Sequence, residues 1–219
     1  MNEADIRKQV VDSYQELDRD GMNKGSSGNV SARSGEHMLI TPSGISAKQM
    51  NPDQVAKLKI DDDAGAFEGD CKPSTEWRFH QDIFRSRPQS HAVVHTHAPF
   101  CTILSILRKP IPAVHYMMAC FDTTEVRVAD YETYGTTELS EAVIRAMGSA
   151  NSCLMANHGM VVAGDSMMRA MWLAGQLELI ASQYYHTLLV GQPHVLSDAQ
   201  IAETVKSFAS YGPQEAHEP

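Results

Sequence analysis

The chain has 219 residues, 42% of them hydrophobic and 21% charged, enough for one globular domain of ordinary size with a sizeable core. Acidic side chains outnumber basic ones 27 to 18, and the net charge of −9 leaves no broad basic surface for a nucleic acid or an anionic membrane, so neither is expected as a partner. The start, Met1 to Arg7, is polar, no apolar run approaches the ~20 residues of a membrane span, and the four cysteines form no CxxC pair, which together predict a reduced, soluble, cytoplasmic protein.

Ile6, Val10, Tyr14 and Leu17 recur at helical spacing up to Gly21, predicting an amphipathic first helix. The turn Gly25-Ser26-Ser27-Gly28-Asn29 feeds Val30 to Arg33, and Ser34-Gly35 returns the chain through Met38 to Thr41 as a hairpin. Pro42-Ser43-Gly44 makes a second tight turn, Val55 to Ile60 alternates as a half-exposed strand, and Asp61 to Gly69 reads as a solvated acidic loop. After Pro73 a helix is predicted from Glu76 to about Arg85, with Ser74 or Thr75 as its cap. Ala92-Val93-Val94 runs into His95-Thr96-His97 as a short buried strand, followed after Pro99 by a helix carrying Phe100, Ile103, Leu104 and Leu107.

Glu125 to Ala129 predicts another strand and Thr137 to Met147 a helix stopped by Gly148. Ser152 to Ala156 is a further buried strand, arriving at Asn157-His158-Gly159 and extended by Val161-Val162. A long apolar helix spans roughly Ser166 to Leu189, and Ser197-Asp198-Ala199-Gln200 opens a last one, leaving 207–219 as a mobile tail that holds Tyr211. No repeat or linker divides the chain, so residues 1–219 read as a single α/β domain. Its expected architecture is three-layer α/β/α, a central mostly antiparallel or mixed sheet flanked by helices, because hairpins join the early strands.

The chemistry concentrates at strand ends. In a strand, alternate side chains share a face, so His95 and His97 point the same way, and His158 comes within reach of the same point if its strand is a neighbour. Three imidazoles with an open position describe a catalytic divalent-metal site, although strand-end histidines with ordinary hydrogen bonds give the same local pattern. Glu76 at a helix start is electrostatically favoured there, and Ser74 and Thr75 before it supply hydroxyls and free N–H groups for an anion. The turns Gly28-Asn29 and Ser43-Gly44 offer further backbone N–H groups. Together these would hold a phosphate without lysine or arginine.

Six segments stand in the order found in the class II aldolase/adducin-head family, which the chain resembles over nearly its whole length: Gly28-Asn29-Val30-Ser31, Ile40-Thr41-Pro42-Ser43-Gly44-Ile45, Ser74 to His80, His95-Thr96-His97, Ile111 to Tyr116 and His158-Gly159. The resemblance implies an enzyme with Zn2+, or another divalent metal, held by His95, His97 and His158 with Glu76. It implies a phosphate held by Gly28, Asn29, Ser43, Gly44, Ser74 and Thr75. Glu76 and Tyr116 are the implied proton-transfer residues, Tyr116 reaching in from a neighbouring subunit of a homotetramer and Tyr211 closing over the site from the tail. The implied reaction is reversible cleavage of a ketose 1-phosphate, L-fuculose 1-phosphate or a 5-deoxy- or 5-methylthio-pentulose 1-phosphate, into dihydroxyacetone phosphate and an aldehyde.

Asn157 stands where the family's aldolases carry a second histidine, Tyr134 where phenylalanine is usual, and Cys120 to Thr124 where a glycine-rich stretch is expected. These departures bear on the aldehyde end. The resemblance also encompasses sister reactions at the same metal site (epimerase, dehydratase, decarboxylase) and a non-catalytic interaction module, which lacks the three histidines retained here.

Overall fold

The computed structural model describes residues 2–208. Helix α1 (Glu3–Arg19) opens on a capping box in which the Asn2 side chain accepts from the Asp5 N–H, and it turns Val10, Tyr14 and Leu17 inward. The hairpin β1 (Asn29–Ser34) and β2 (His37–Ile40) follows, then β3 (Ala56–Lys59) and a short β4 (Phe67–Glu68). Helix α2 (Trp77–Ser86), strand β5 (Ala92–Thr96) and helix α3 (Pro99–Ile106) come next. Strands β6 (Ile111–Pro112) and β7 (Glu125–Val126) pair with each other apart from the main sheet, with a 3-10 helix, Tyr116–Phe121, between them. The chain continues through β8 (Val128–Ala129), α4 (Thr137–Met147), β9 (Ser152–Met155), β10 (Gly159–Gly164), α5 (Met167–Val190) and α6 (Asp198–Phe208).

The main sheet has eight strands in the order β4-β3-β2-β1-β5-β10-β9-β8, antiparallel throughout except for the β8/β9 pair. Alternation along each strand sends side chains to two apolar layers. Val30, Ala32, Ala92, Val94, Met160 and Val162 join α1, α3 and α5 on one face, whereas Met38, Ile40, Val93, Val161 and Ala163 join α2 and α4 on the other. Phe79, Ile83 and Phe84 anchor α2, each no more than 1% exposed and worth on the order of 1.5–3 kcal/mol of burial. This is the expected three-layer arrangement with a mostly antiparallel sheet.

Local expectations were altered by turns. The acidic segment 61–69 ends in β4, which pairs with β3 through Leu58 and Phe67. The strand expected over 125–129 divides at Arg127 into β7 and β8, which belong to different sheets. Val161 and Val162 do not extend the strand before them: Asn157 adopts a left-handed conformation (φ 55°), the chain reverses, and β10 returns antiparallel to β9. Ser207 and Phe208, expected in the tail, close α6; the rest of that tail, with Tyr211, lies outside the described residues.

Candidate active site

The site forms where the α2 face of the sheet changes from apolar to polar. On β5, Val93 belongs to the apolar layer of that face and His95 is the next residue on the same side. In the sheet His95 lies between Asn29 of β1 and Val161 of β10. His97 continues the alternation just past the strand end, and His158 sits in the β9–β10 turn rather than at a strand end. That reversal carries its imidazole back toward β5. Gly159 is required there, because a Cβ would run into the Thr96 carbonyl and lie 3.1 Å from the His97 ring.

The three imidazole nitrogens lie within 4.8 Å of one another, with Nε2 of His95 and His97 3.1 Å apart. The rings are steeply inclined to one another, at 66–76°, with centroids 4.9–5.0 Å apart. A tetrahedral ion with bonds of ~2.0–2.1 Å sets its ligand nitrogens about 3.3 Å apart, so the spacing of the first pair fits such an ion. His95 Nδ1 is 2.8 Å from the Met160 carbonyl, which can only accept; Nδ1 therefore carries the proton and the Nε2 lone pair faces the cluster. Burial lowers the His95 pKa well below its usual value against the pull of Glu76, and burial, then the nearby His158, lowers that of His97. Both rings are neutral donors near neutral pH.

Glu76 adds a carboxylate that is only 7% exposed. It is the N-cap of α2 and not part of its first turn, and its own side chain does not cap the helix. Its Oε2 lies 3.4 Å from His95 Nε2 and accepts a 2.8 Å hydrogen bond from Asn29 Nδ2. Its buried Oε1 lies 3.2 Å from His158 Nε2 with no hydrogen bond directed to it. Burial alone would raise the Glu76 pKa, but His95, His158 and the Asn29 donor hold it below the usual carboxylate range. An ionised carboxylate with an orphaned oxygen beside His95 and His158 of the three-imidazole cluster is a donor set suited to a divalent cation.

A cavity of about 350 Å³ opens on this cluster, with Glu76, His97 and His158 in its wall. Fully buried His95 lies behind. All six residues expected around an anion line the same cavity: Gly28, Asn29, Ser43, Gly44, Ser74 and Thr75. Their roles differ. The Ser43 and Ser74 N–H groups are spent on the Lys72 and Thr41 carbonyls, and the Asn29 amide is spent on Glu76 and Ser74. The N–H groups of Gly28, Gly44 and Thr75 meet no acceptor among the described residues. Ser74 Oγ accepts from Asn29 and from the Glu76 N–H, which leaves its own proton to donate. No lysine or arginine is among the lining residues, so an anion here meets N–H and O–H dipoles.

Asn157 and Tyr134, flagged for the aldehyde end, line the mouth together with Tyr131 and Glu132. Tyr116 does not reach this cavity; 51% exposed, it borders a different one of about 1060 Å³ with Trp172, Leu179 and Phe208. Tyr211 lies outside the described residues. The sequence reading missed Asn23, whose Oδ1 accepts from the His97 N–H and whose side chain packs where a Cβ on Gly28 (φ 69°) would go. It also missed Glu178, whose carboxylate accepts from the Phe100 and Cys101 N–H groups and so caps the helix that follows His97. Both act across long sequence separations that no local pattern signals.

The model of the class II aldolase and adducin N-terminal domain matches residues 8–185. The chain belongs to this family. It is 41% identical over 207 residues to a 5-methylthioribulose-1-phosphate/5-deoxyribulose-1-phosphate aldolase of Rhodospirillum rubrum, covering 94% of this chain and 92% of that one. It is 40% identical to an L-fuculose phosphate aldolase of Escherichia coli, covering 97% and 98%. A solved L-fuculose 1-phosphate aldolase superposes with a TM-score of 0.89 at 32% identity, covering 94% and 96%.

Proposed function

We propose that the protein is a class II aldolase, a carbon–carbon lyase that reversibly splits a ketose 1-phosphate into dihydroxyacetone phosphate and an aldehyde. The observation that carries this reading is one cavity in which a cluster of three imidazoles and a buried carboxylate adjoin an anion cradle built of dipoles. The relatives named for fuculose phosphate and for the 5-deoxy- and 5-methylthio-ribulose 1-phosphates set the substrate class.

His95, His97 and His158, with Glu76 beside them, would hold the metal, zinc by family resemblance and by the nitrogen-rich donor set. When bound, a divalent ion supplies Lewis-acid stabilisation of the negative charge that develops on the dihydroxyacetone phosphate half. The free N–H groups of Gly28, Gly44 and Thr75 and the hydroxyls of Ser43, Ser74 and Thr75 bind the phosphate. In the synthetic direction the Glu76 carboxylate removes a proton from the hydroxymethyl carbon of dihydroxyacetone phosphate, and in cleavage Glu76 returns one there. Tyr116, supplied by a second copy in a homotetramer, protonates the aldehyde oxygen, and Tyr211 of the tail covers the site. Tyr116's exposure and its place away from the histidine cavity of its own chain fit such a donation. Among the described residues no helix is long and apolar enough to cross a membrane, and the unpaired cysteines suit a reducing cytoplasm.

The test is a coupled assay for dihydroxyacetone phosphate release from fuculose, rhamnulose, ribulose, 5-deoxyribulose and 5-methylthioribulose 1-phosphates, with and without a chelator. Chelator-sensitive release is expected, and relative kcat/KM then ranks the aldehydes. Absence of release from every ketose, or release indifferent to chelation, would overturn the reading.

A further inference from the structure

On the α2 face of β1 the inward positions are Asn29, beside His95, and Ser31, polar between the apolar Ile40 and Val93; both are no more than 2% exposed. Both meet His80 of α2, which is wholly buried and stacked on Phe79. Ser31 Oγ lies 2.7 Å from His80 Nδ1, and Asn29 Oδ1 lies 2.5 Å from His80 Nε2. The aldolase chemistry proposed above uses none of the imidazole's capacity. We infer that His80 is a positioning residue: it fixes which way the Asn29 amide faces, and through it which Glu76 oxygen remains open to the cavity.

The hydrogen-bond logic runs from the carboxylate inward. Glu76 Oε2 can only accept, so the Asn29 group 2.8 Å away must be its NH2. Asn29 Oδ1 then faces His80, and a carbonyl oxygen demands a proton on Nε2. With Nε2 protonated and the buried ring neutral, Nδ1 carries a lone pair, and the Ser31 hydroxyl donates to it. Each contact along the chain Ser31–His80–Asn29–Glu76 pairs a donor with an acceptor in this one arrangement. Reversing the amide would set Oδ1 against a carboxylate oxygen in a buried place, and would set NH2 against the Nε2–H as well unless the ring changed tautomer with it. Oε2 is thereby committed to Asn29, and the unbonded Oε1 is the oxygen left for proton transfer.

The test combines two substitutions with a direct view of the proton. In metal-loaded enzyme, with rates normalised to bound metal, His80→Leu removes both bonds, whereas His80→Gln keeps a donor toward Asn29. His80→Leu is expected to lower kcat, and the exchange of solvent deuterium into dihydroxyacetone phosphate, about 10- to 100-fold, as loss of a partner that orients a site ligand does. KM is expected to hold, and His80→Gln to recover most of the loss. Wild-type rates in His80→Leu, an effect confined to KM, or equal impairment in both variants would overturn the assignment. Nitrogen NMR of the wild-type imidazole should show Nε2–H with a bare Nδ1, and an Nδ1–H tautomer would overturn it irrespective of activity. The rates rest on the aldolase reading but the tautomer does not, so a protein without aldolase activity would sink that reading while the NMR still judged this one.

Discussion

Burying His80 as a neutral ring has a thermodynamic signature. Burial, opposed in part by the Glu76 charge, pushes its pKa down to about 3 in the folded protein, against ~6.5 in an unfolded chain. Below pH 6.5 the unfolded state therefore binds a proton that the folded state refuses, and stability falls as the pH drops from there toward 3. The limiting slope is about 1.4 kcal/mol per pH unit for one such group, and integration from pH 7 to pH 5.5 gives about 1.2 kcal/mol. His95 and His97 act with the same sign, so the absolute pH dependence is steeper, but a comparison of variants isolates His80. The assay is urea unfolding of chelator-treated protein at pH 7 and pH 5.5, wild type against His80→Gln. Wild type should lose about 1.2 kcal/mol more than the variant over this interval. Identical pH dependence in the two proteins would refute the claim that His80 is held neutral by the fold.

Two other perturbations separate the roles at the centre. His97→Ala should abolish turnover through loss of metal, read by elemental analysis, whereas Glu76→Gln should retain most metal and lose deuterium exchange, because three imidazoles suffice to hold the ion; normal exchange by Glu76→Gln would contradict the proton-transfer role. Gly159→Ala, whose Cβ would press on the Thr96 carbonyl and the His97 ring, should cost on the order of 1–3 kcal/mol by urea unfolding and weaken metal binding together with stability.

The two-residue period of His95 and His97 needs only a strand to put both rings on one face, and β5 is that strand, so this half of the centre was legible in the sequence. The third histidine of the cluster was found for an imperfect reason. His158 comes back to the cluster because a left-handed Asn157 reverses the chain into β10, and a local apolar run of two valines cannot distinguish a continued strand from a returning one. The cradle residues were legible as turn chemistry, but which of their N–H groups remain free depends on the distant Lys72 and Thr41 carbonyls. Asn29 shows the limit most clearly. Its place in a glycine turn suggested an anion ligand, whereas the fold turns its amide inward to join Glu76 to His80, residues 47 and 51 positions away.

A cradle walled by dipoles, with no cationic side chain among its lining residues, has a consequence for how the two ligands of this pocket arrive. On the proposed reading, a phosphorylated sugar entering it would find its strongest countercharge in an ion held at the histidines, so occupancy by cation and anion would be reciprocally linked, each tightening the other by the same factor. The resting protein would then hold its metal less firmly than the working one, and added substrate is expected to slow metal loss to a chelator.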